Sequence, residues 1–347
     1  MRNAKDTLYY VLKRLALMLI TFLVIFVICF VLIRLLPANS AVGQKDPDTV
    51  NAFLALQGKV KKNPDGTYSP LPIIVQLFNY IKNVFAPGRD VVTGAQLSRF
   101  GYSFTSGSWL STPDKLLVSK LAPTMIINLY SFIFSVPLGL LLGMYMALRK
   151  NKWEDNVLSI LIMLFISVPS FVDAFLLQYF LGYKLHVLPA TVESLAKAGG
   201  WFTPKMFASM VLPVLAMSLG SIAGYARYTR AELTEVLTSD FMLLARTKGL
   251  TRTQATVRHA FRNSLVPIFP MILGEILMML SGSIIIENIF SVNGVGGLLL
   301  NAITNRDLDV YQFVSMFYIL IGLLGGLVVD VSYGLVDPRI RMGGGKA

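Results

Sequence analysis

From Leu15 to Ile33 the chain carries no charged residue, and Arg34 and Pro37 close the run. These 19 residues would span about 28 Å as a helix, close to the ~30 Å of a bilayer's hydrocarbon core. Five further apolar runs follow, at Lys120–Leu148, Val157–Leu181, Phe207–Tyr225, Leu265–Ile286 and Tyr311–Val336. In hydrocarbon a single segment satisfies its own backbone polar groups only as a helix. The expected fold is therefore all-α and polytopic, with six transmembrane helices. Composition agrees: 14% of the residues are charged, against roughly 25% in soluble domains. The first run is too long for a signal peptide and reads as a retained anchor.

The net charge of +12 follows membrane topology. Lys and Arg sit in short loops beside the apolar runs, and no nucleic-acid recognition module accompanies them, so nucleic acid is not an expected partner. Alternate loops hold seventeen and four basic residues, the long loop 37–118 excluded because long loops cross regardless of charge. The richer set comprises the N-terminus, Arg149 to Lys152, the stretch Arg227–Pro267 and the C-terminus with Arg339, Arg341 and Lys346. Both termini are thus expected inside, in a multi-pass protein of the cell membrane. Arg34 is expected to snorkel to the interface. The chain divides into 1–36 (tail and first helix), 37–118 (an extracytoplasmic segment), 119–341 (five helices, with a cytoplasmic loop at 227–264) and 342–347. Within the second part, Ile73, Leu77, Tyr80, Ile81 and Val84 recur at helical spacing. A short amphipathic helix over Pro72–Phe85 should lie at the membrane surface or pack on the spans.

Residues for catalysis or metal binding are missing. There is no G-x-x-x-x-G-K-[ST], and Gly343-Gly344-Gly345-Lys346 lacks its spacing and context. No H-E-x-x-H, serine elbow or paired catalytic carboxylates occur. Cys29 is the only cysteine, and His186 and His259 are the only histidines. The chain is expected to be non-catalytic, with no cofactor or metal of its own. Three acids fall inside apolar runs: Asp173, Glu275 and Asp330. A charge there costs at least about 2.5–3.5 kcal/mol, so each should face protein or water. Asp173 and Asp330 lie nearer span ends, where interhelical hydrogen bonding suffices, whereas mid-span Glu275 is a candidate for lining a polar path. Ser131, Ser135, Gly139, Gly143 and Ala147 form a small-residue stripe for close helix approach, internal or to a second subunit. Gly322, Gly325 and Gly326 offer the same in the last run.

The basic stretch can now be read closely. Asp240 to Lys248 has Phe241, Leu244 and Ala245 at i, i+3 and i+4, Arg246 and Lys248 for charge, and Gly249 as a C-terminal stop. Around it, Thr229 to Leu250 and Arg258 to Pro267 resemble the cytoplasmic loop of ABC importer permeases, most closely the B-type membrane subunit of oligopeptide and dipeptide importers. Phe100-Gly101-Tyr102-Ser103 resembles that family's G-D-L-G-x-S element, Pro123-Thr124 its L-P-x-T, and Ser167-Val168-Pro169-Ser170-Phe171 its S-I-P-x-F. Glu287-Asn288-Ile289-Phe290 with Gly294, Gly296, Arg306 and Asp307 resembles its E-x-I-F…G-x-G…R-D loop. Asp337-Pro338-Arg339-Ile340-Arg341 resembles its D-P-R-I-R ending. The general permease motif E-A-A-x-x-x-G survives only as Ala245 and Gly249, closer to the A-R-x-K-G of the peptide branch. The segment 37–99 matches poorly apart from the Pro72–Phe85 helix.

The resemblance implies a type I importer fold, with this chain forming half of a peptide pathway. Its partners would be a second homologous permease subunit in a heterodimer, two ATPase subunits that bind ATP and Mg, an extracytoplasmic substrate-binding protein, the peptide and membrane lipid. Asp240, Phe241, Leu244, Ala245, Arg246, Lys248 and Gly249 would form the helix that docks in an ATPase groove and receives its motion. Three alternatives stand beside this. The basic loop merely obeys topology; the fold carries another cargo such as nickel; or the chain is an ion-coupled secondary transporter using Glu275 and Asp173. The last predicts inverted repeats and helices broken in mid-span, and the sequence displays no repeat.

Overall fold

The structure, a computed structural model, describes residues 4–36, 47–88, 98–103 and 111–336. The Asp337–Arg341 element and the basic C-terminus lie outside the described residues. Helices dominate: α1 (Ala4–Leu35), α2 (Pro47–Leu56), α3 (Ile73–Phe85), α4 (Pro113–Leu148), α5 (Trp153–Ser167), α6 (Ser170–Leu177), α7 (Leu195–Ala198), α8 (Pro204–Leu237), α9 (Asp240–Thr247), α10 (Arg252–Ala255), α11 (Arg262–Ser264), α12 (Phe269–Met278), α13 (Ile284–Ile289), α14 (Val295–Thr304) and α15 (Leu308–Val336). Two π-helical segments, Gln178–Lys184 and Thr256–Phe261, continue α6 and α10. A hairpin pairs β1 (Val60–Lys62) with β2 (Tyr68–Pro70) around Gly66 at φ +85°. The Pro64-Asp65-Gly66 signal for this turn is plain in the sequence.

Within α1, α4, α8 and α15 lie four stretches long and apolar enough to cross a membrane. Two bent pairs complete the set, so that six spans result when each pair counts as one. The first pair corrects the straight helix expected over Val157–Leu181. Trp153–Ser167 and Ser170–Lys184 meet at 100°. Pro169 is the cause: it excludes Val168 from the helical region, and Val168 sits at φ −79°, ψ 127°. The second pair corrects the span expected over Leu265–Ile286. Thr253–Ser264 and Phe269–Met278 meet at 55°, with Pro267 at the bend and Pro270 in the first turn of α12. The chain then turns through Gly282 at φ +65° before α13. Asn128 Nδ2 donates to Met279 O at 2.9 Å at the turn. The fourth helix is longer than expected, because Ala226, Thr229 and Leu233 extend its buried face well past Tyr225. Arg227 to Leu237 is therefore helix, not loop.

The described residues form two compact units, one within 1–16, 123–292 and 322–347, the other within 17–122 and 293–321. In the first, α4 and α8 run parallel and close. A Cβ on Gly139 would meet Tyr225 Cβ at 2.6 Å, and one on Gly143 would meet Ala226 O at 2.5 Å. Ser131 and Ser218 share a 3.0 Å hydroxyl bond, and Ala147 packs in one cluster with Leu233. The small-residue stripe thus serves internal packing. Gly325 likewise approaches Met278, while Gly322 and Gly326 face open space. Asp330 pairs with Arg14 at 2.9 Å, whereas Asp173 is buried on α6 with no hydrogen bond or ion pair among the described residues.

In the second unit, α3 packs Ile73, Leu77 and Tyr80 against Phe26 and Phe30 of α1 and Met316 of α15. Lys59 Nζ donates to both oxygens of buried Asp309 at 2.6 and 2.5 Å, and Arg34 to one at 3.3 Å. Arg34 therefore does not snorkel. Its side chain is 8% exposed and its guanidinium lies 5.1 Å from the Phe30 ring centre. Held away from water, its charge is partnered by the Asp309 carboxylate.

Candidate functional site

The expected short helix is present as α9, one turn after α8 ends. Ser239 precedes it in extended conformation, and its hydroxyl donates to Val236 O at 2.6 Å, closing α8. Asp240 opens α9 where an acid favours the helix dipole. The stop is a full Schellman turn. Gly249 N donates to Arg246 O, Leu250 N donates to Ala245 O, and Gly249 has φ +88°. Leu250 packs in the same cluster as Ala245, the hydrophobic contact that accompanies this turn. A capping box then opens α10: Gln254 N donates to Thr251 Oγ1, and Thr251 N to Gln254 Oε1.

The two faces of α9 divide differently from the sequence expectation. Met242 and Ala245 point inward and pack with Ala147, Leu233, Ala255 and Ala260. Ala245 thus leaves the expected docking face and anchors the helix. Phe241, Leu243 and Leu244 stay 42, 61 and 55% exposed, beside exposed Asp240, Arg246, Lys248 and Gly249. Leu243 and Met242 are the residues sequence reasoning missed. Met242 and Ala245 are i, i+3, a signal as strong as the one that marked Phe241 and Leu244. Nothing local says which of two apolar stripes turns inward.

A bidentate pair braces this region. Arg230 Nε and Nη2 donate to Asp155 at 2.6 and 2.8 Å, and Asn151 N donates to the same carboxylate at 3.0 Å. Asp155 is fully buried, so the start of α5, the turn before it and the end of α8 form one charge-assisted knot. Glu275 lies elsewhere, on α12. It accepts from Ser221 Oγ at 3.2 Å and from Tyr225 Oη in a short bond, both from α8. No cation pairs with it among the described residues. Gly220 and Gly224, each one residue before a partner of Glu275 on α8, have nothing within 4 Å of a Cβ position.

Separate sequence motifs meet in space. Thr124 Oγ1 donates to Glu287 at 2.8 Å, joining the Pro123-Thr124 element to the Glu287–Phe290 element. Gly282 is required beside them, since its Cβ would overlap Glu287 Oε1. In the other unit, Tyr102 N donates to Asp309 at 3.2 Å and Ser103 Oγ to Asp307 at 2.5 Å. Gly101, at φ +93°, leaves the space that Asp309 fills.

A polytopic helical chain with a braced helix beside its spans has the architecture of an integral membrane protein. A family model described as binding-protein-dependent transport system inner membrane component matches residues 139–342, and the chain belongs to that family. A dipeptide transport system permease protein of Lactococcus lactis subsp. cremoris is 32% identical over 96% of this chain and 99% of its own length. A glutathione transport system permease protein of Salmonella choleraesuis is 30% identical over 96% of this chain and 99% of its own. Among solved structures, an amino acid ABC transporter crystallised with histidines aligns with TM-score 0.45 at 19% identity, covering 64% of this chain and 94% of that one. The chain is thus a multi-pass inner membrane permease, and no enzymatic activity is named for its family. One mark of an ion-coupled carrier, a helix broken in mid-span, does occur at Pro169, but the family is one of permeases.

Proposed function

We propose that the chain is one of two permease subunits of a peptide importer, and that α9 transmits the motion of an ATPase subunit to the spans. The observation that carries the reading is the division of α9. Met242 and Ala245 fix it to the ends of α4 and α8, while Phe241, Leu243 and Leu244 present apolar surface outward beside Arg246 and Lys248. A helix with apolar anchors and flanking charges suits docking into a groove, the anchors giving affinity and the charges register. Asp240 starts the helix and Gly249 ends it. Peptide cargo is supported by the relatives that carry dipeptide and glutathione in their names. The remaining partners are a homologous permease, two ATPases that hold ATP and Mg, and an extracytoplasmic substrate-binding protein. ATP hydrolysis belongs to those ATPases, and no cofactor is assigned to this chain.

The test is uptake against ATP hydrolysis in vesicles holding the complete complex. Replacing Phe241→Glu and Leu244→Glu together is expected to abolish dipeptide uptake while assembly of the α4–α8 core persists. Normal uptake by that variant rules out α9 as the coupling element. Glu275 is proposed to line the path, held by Ser221 and Tyr225 of α8. Glu275→Gln should lower uptake several-fold with stimulated ATP hydrolysis unchanged, and equal uptake would assign Glu275 to packing alone.

A further inference from the structure

We infer that α1, α3 and α15 frame a groove that binds an acyl chain of a membrane phospholipid. The depth comes first. The Tyr80 ring lies 5.6 Å from Phe30 and 5.9 Å from Phe26, both inside the charge-free run Leu15–Ile33. At 1.5 Å per residue, Phe26 is about 10 Å along α1 from Ile33, and Phe22 about 16 Å. Phe22 and Leu23 of α1 line the groove with Ile81 and Phe85 of α3 and Phe317 and Leu320 of α15. The groove therefore reaches from α3 into the interior of the span.

The groove holds about 970 Å³, counted out to its open mouth, and its walls are almost wholly carbon. Leu23 both lines it and stays 58% exposed on the outer face of α1, alongside Leu19, Ile20, Val24 and Val27. That face meets lipid, because α1 is a membrane span, so the groove is continuous with an existing lipid interface. Its lining also argues against a helix from another subunit. Helices associate in hydrocarbon through Gly, Ala, Ser and Thr or through polar bonds. The lining is Phe, Leu, Ile, Val, Met and Tyr, with no small residue. A flexible chain can touch three helices at once there, gaining dispersion contacts that a convex helix surface cannot offer. This gives the segment around α3 a role independent of cargo.

Native mass spectrometry of the complete complex tests it. The wild-type subunit should retain a phospholipid through gentle delipidation. The groove-filling pair Ile81→Trp and Leu320→Trp should lose that mass, whereas Leu19→Trp, on the plain face of α1, should keep it. Equal loss in both, or no retained lipid in the wild type, overturns the proposal. Phe85→Trp supplies a second readout, with vesicles of phospholipid brominated on the acyl chains. Strong quenching of its extra fluorescence in the assembled complex supports the inference. Shielding from quencher in the assembled complex shows that a protein subunit fills the groove and overturns it.

Discussion

Lys59 shows how much one buried cation shapes its surroundings. Burial pulls its ammonium down to about 8, with Asp309 opposing that fall and Arg34 adding to it. The unfolded chain holds the same proton to 10.5. Between those values the unfolded state binds more protons, so stability rises as pH rises through the window. Melting of the purified protein from pH 7 to 10 should therefore show the Tm of wild type rising relative to that of Lys59→Met as the pH passes about 8. Parallel curves would mean that Lys59 keeps its proton throughout. Neither this pairing nor the contact of Arg34 with Asp309 was legible in the sequence, because residues 34, 59 and 309 are joined only by tertiary structure. Thr124 and Glu287 teach the same lesson: each sat in a recognisable motif, but the hydrogen bond between them joins residues far apart in the chain.

Among the elements, α9 was the most legible. Its start, its length and its Gly249 stop depend on local chemistry, namely an apolar period, a first-turn acid and a left-handed residue. Its orientation was not, since the inward turn of Met242 and Ala245 is set by Ala147 and Leu233 on other helices. The break at Pro169 could have been read from the proline alone. The short α12 could not, because Gly282 is needed there to seat Glu287. The same distinction governs the glycines. Gly143 belongs to a contact in which a Cβ would strike the backbone oxygen of Ala226 at 2.5 Å, whereas Gly220 has nothing within 4 Å. Gly143→Ala should therefore destabilise by about 1–3 kcal/mol through overpacking, and Gly220→Ala should stabilise by about 0.5–1 kcal/mol through helix entropy. Thermal unfolding of both variants in one detergent checks the contrast. Equal shifts would mean that α4 and α8 do not touch at Gly143.

At the scale of the whole molecule, hydropathy legibly gave membrane class and near-correct helix positions, because the requirement that backbone groups be satisfied in hydrocarbon admits little else. Orientation rests on charge alone. The stretch with Arg227, Arg230, Arg246, Lys248, Arg258 and Arg262 outweighs any short loop on the opposite side, and basic short loops stay inside. The hairpin tip at Asp65 is then expected outside and Arg246 inside. Both positions are exposed, so each will accept a probe without disturbing the core. With Cys29 replaced by Ala, Asp65→Cys in intact cells should react with a membrane-impermeant maleimide, and Arg246→Cys only after permeabilisation. The opposite pattern would place α9 on the far side of the membrane from any ATPase. The coupling proposal would fall with it, while the membrane helices and the packing of α4 on α8 would stand. Labelling thus separates the direction of the fold from the fold itself.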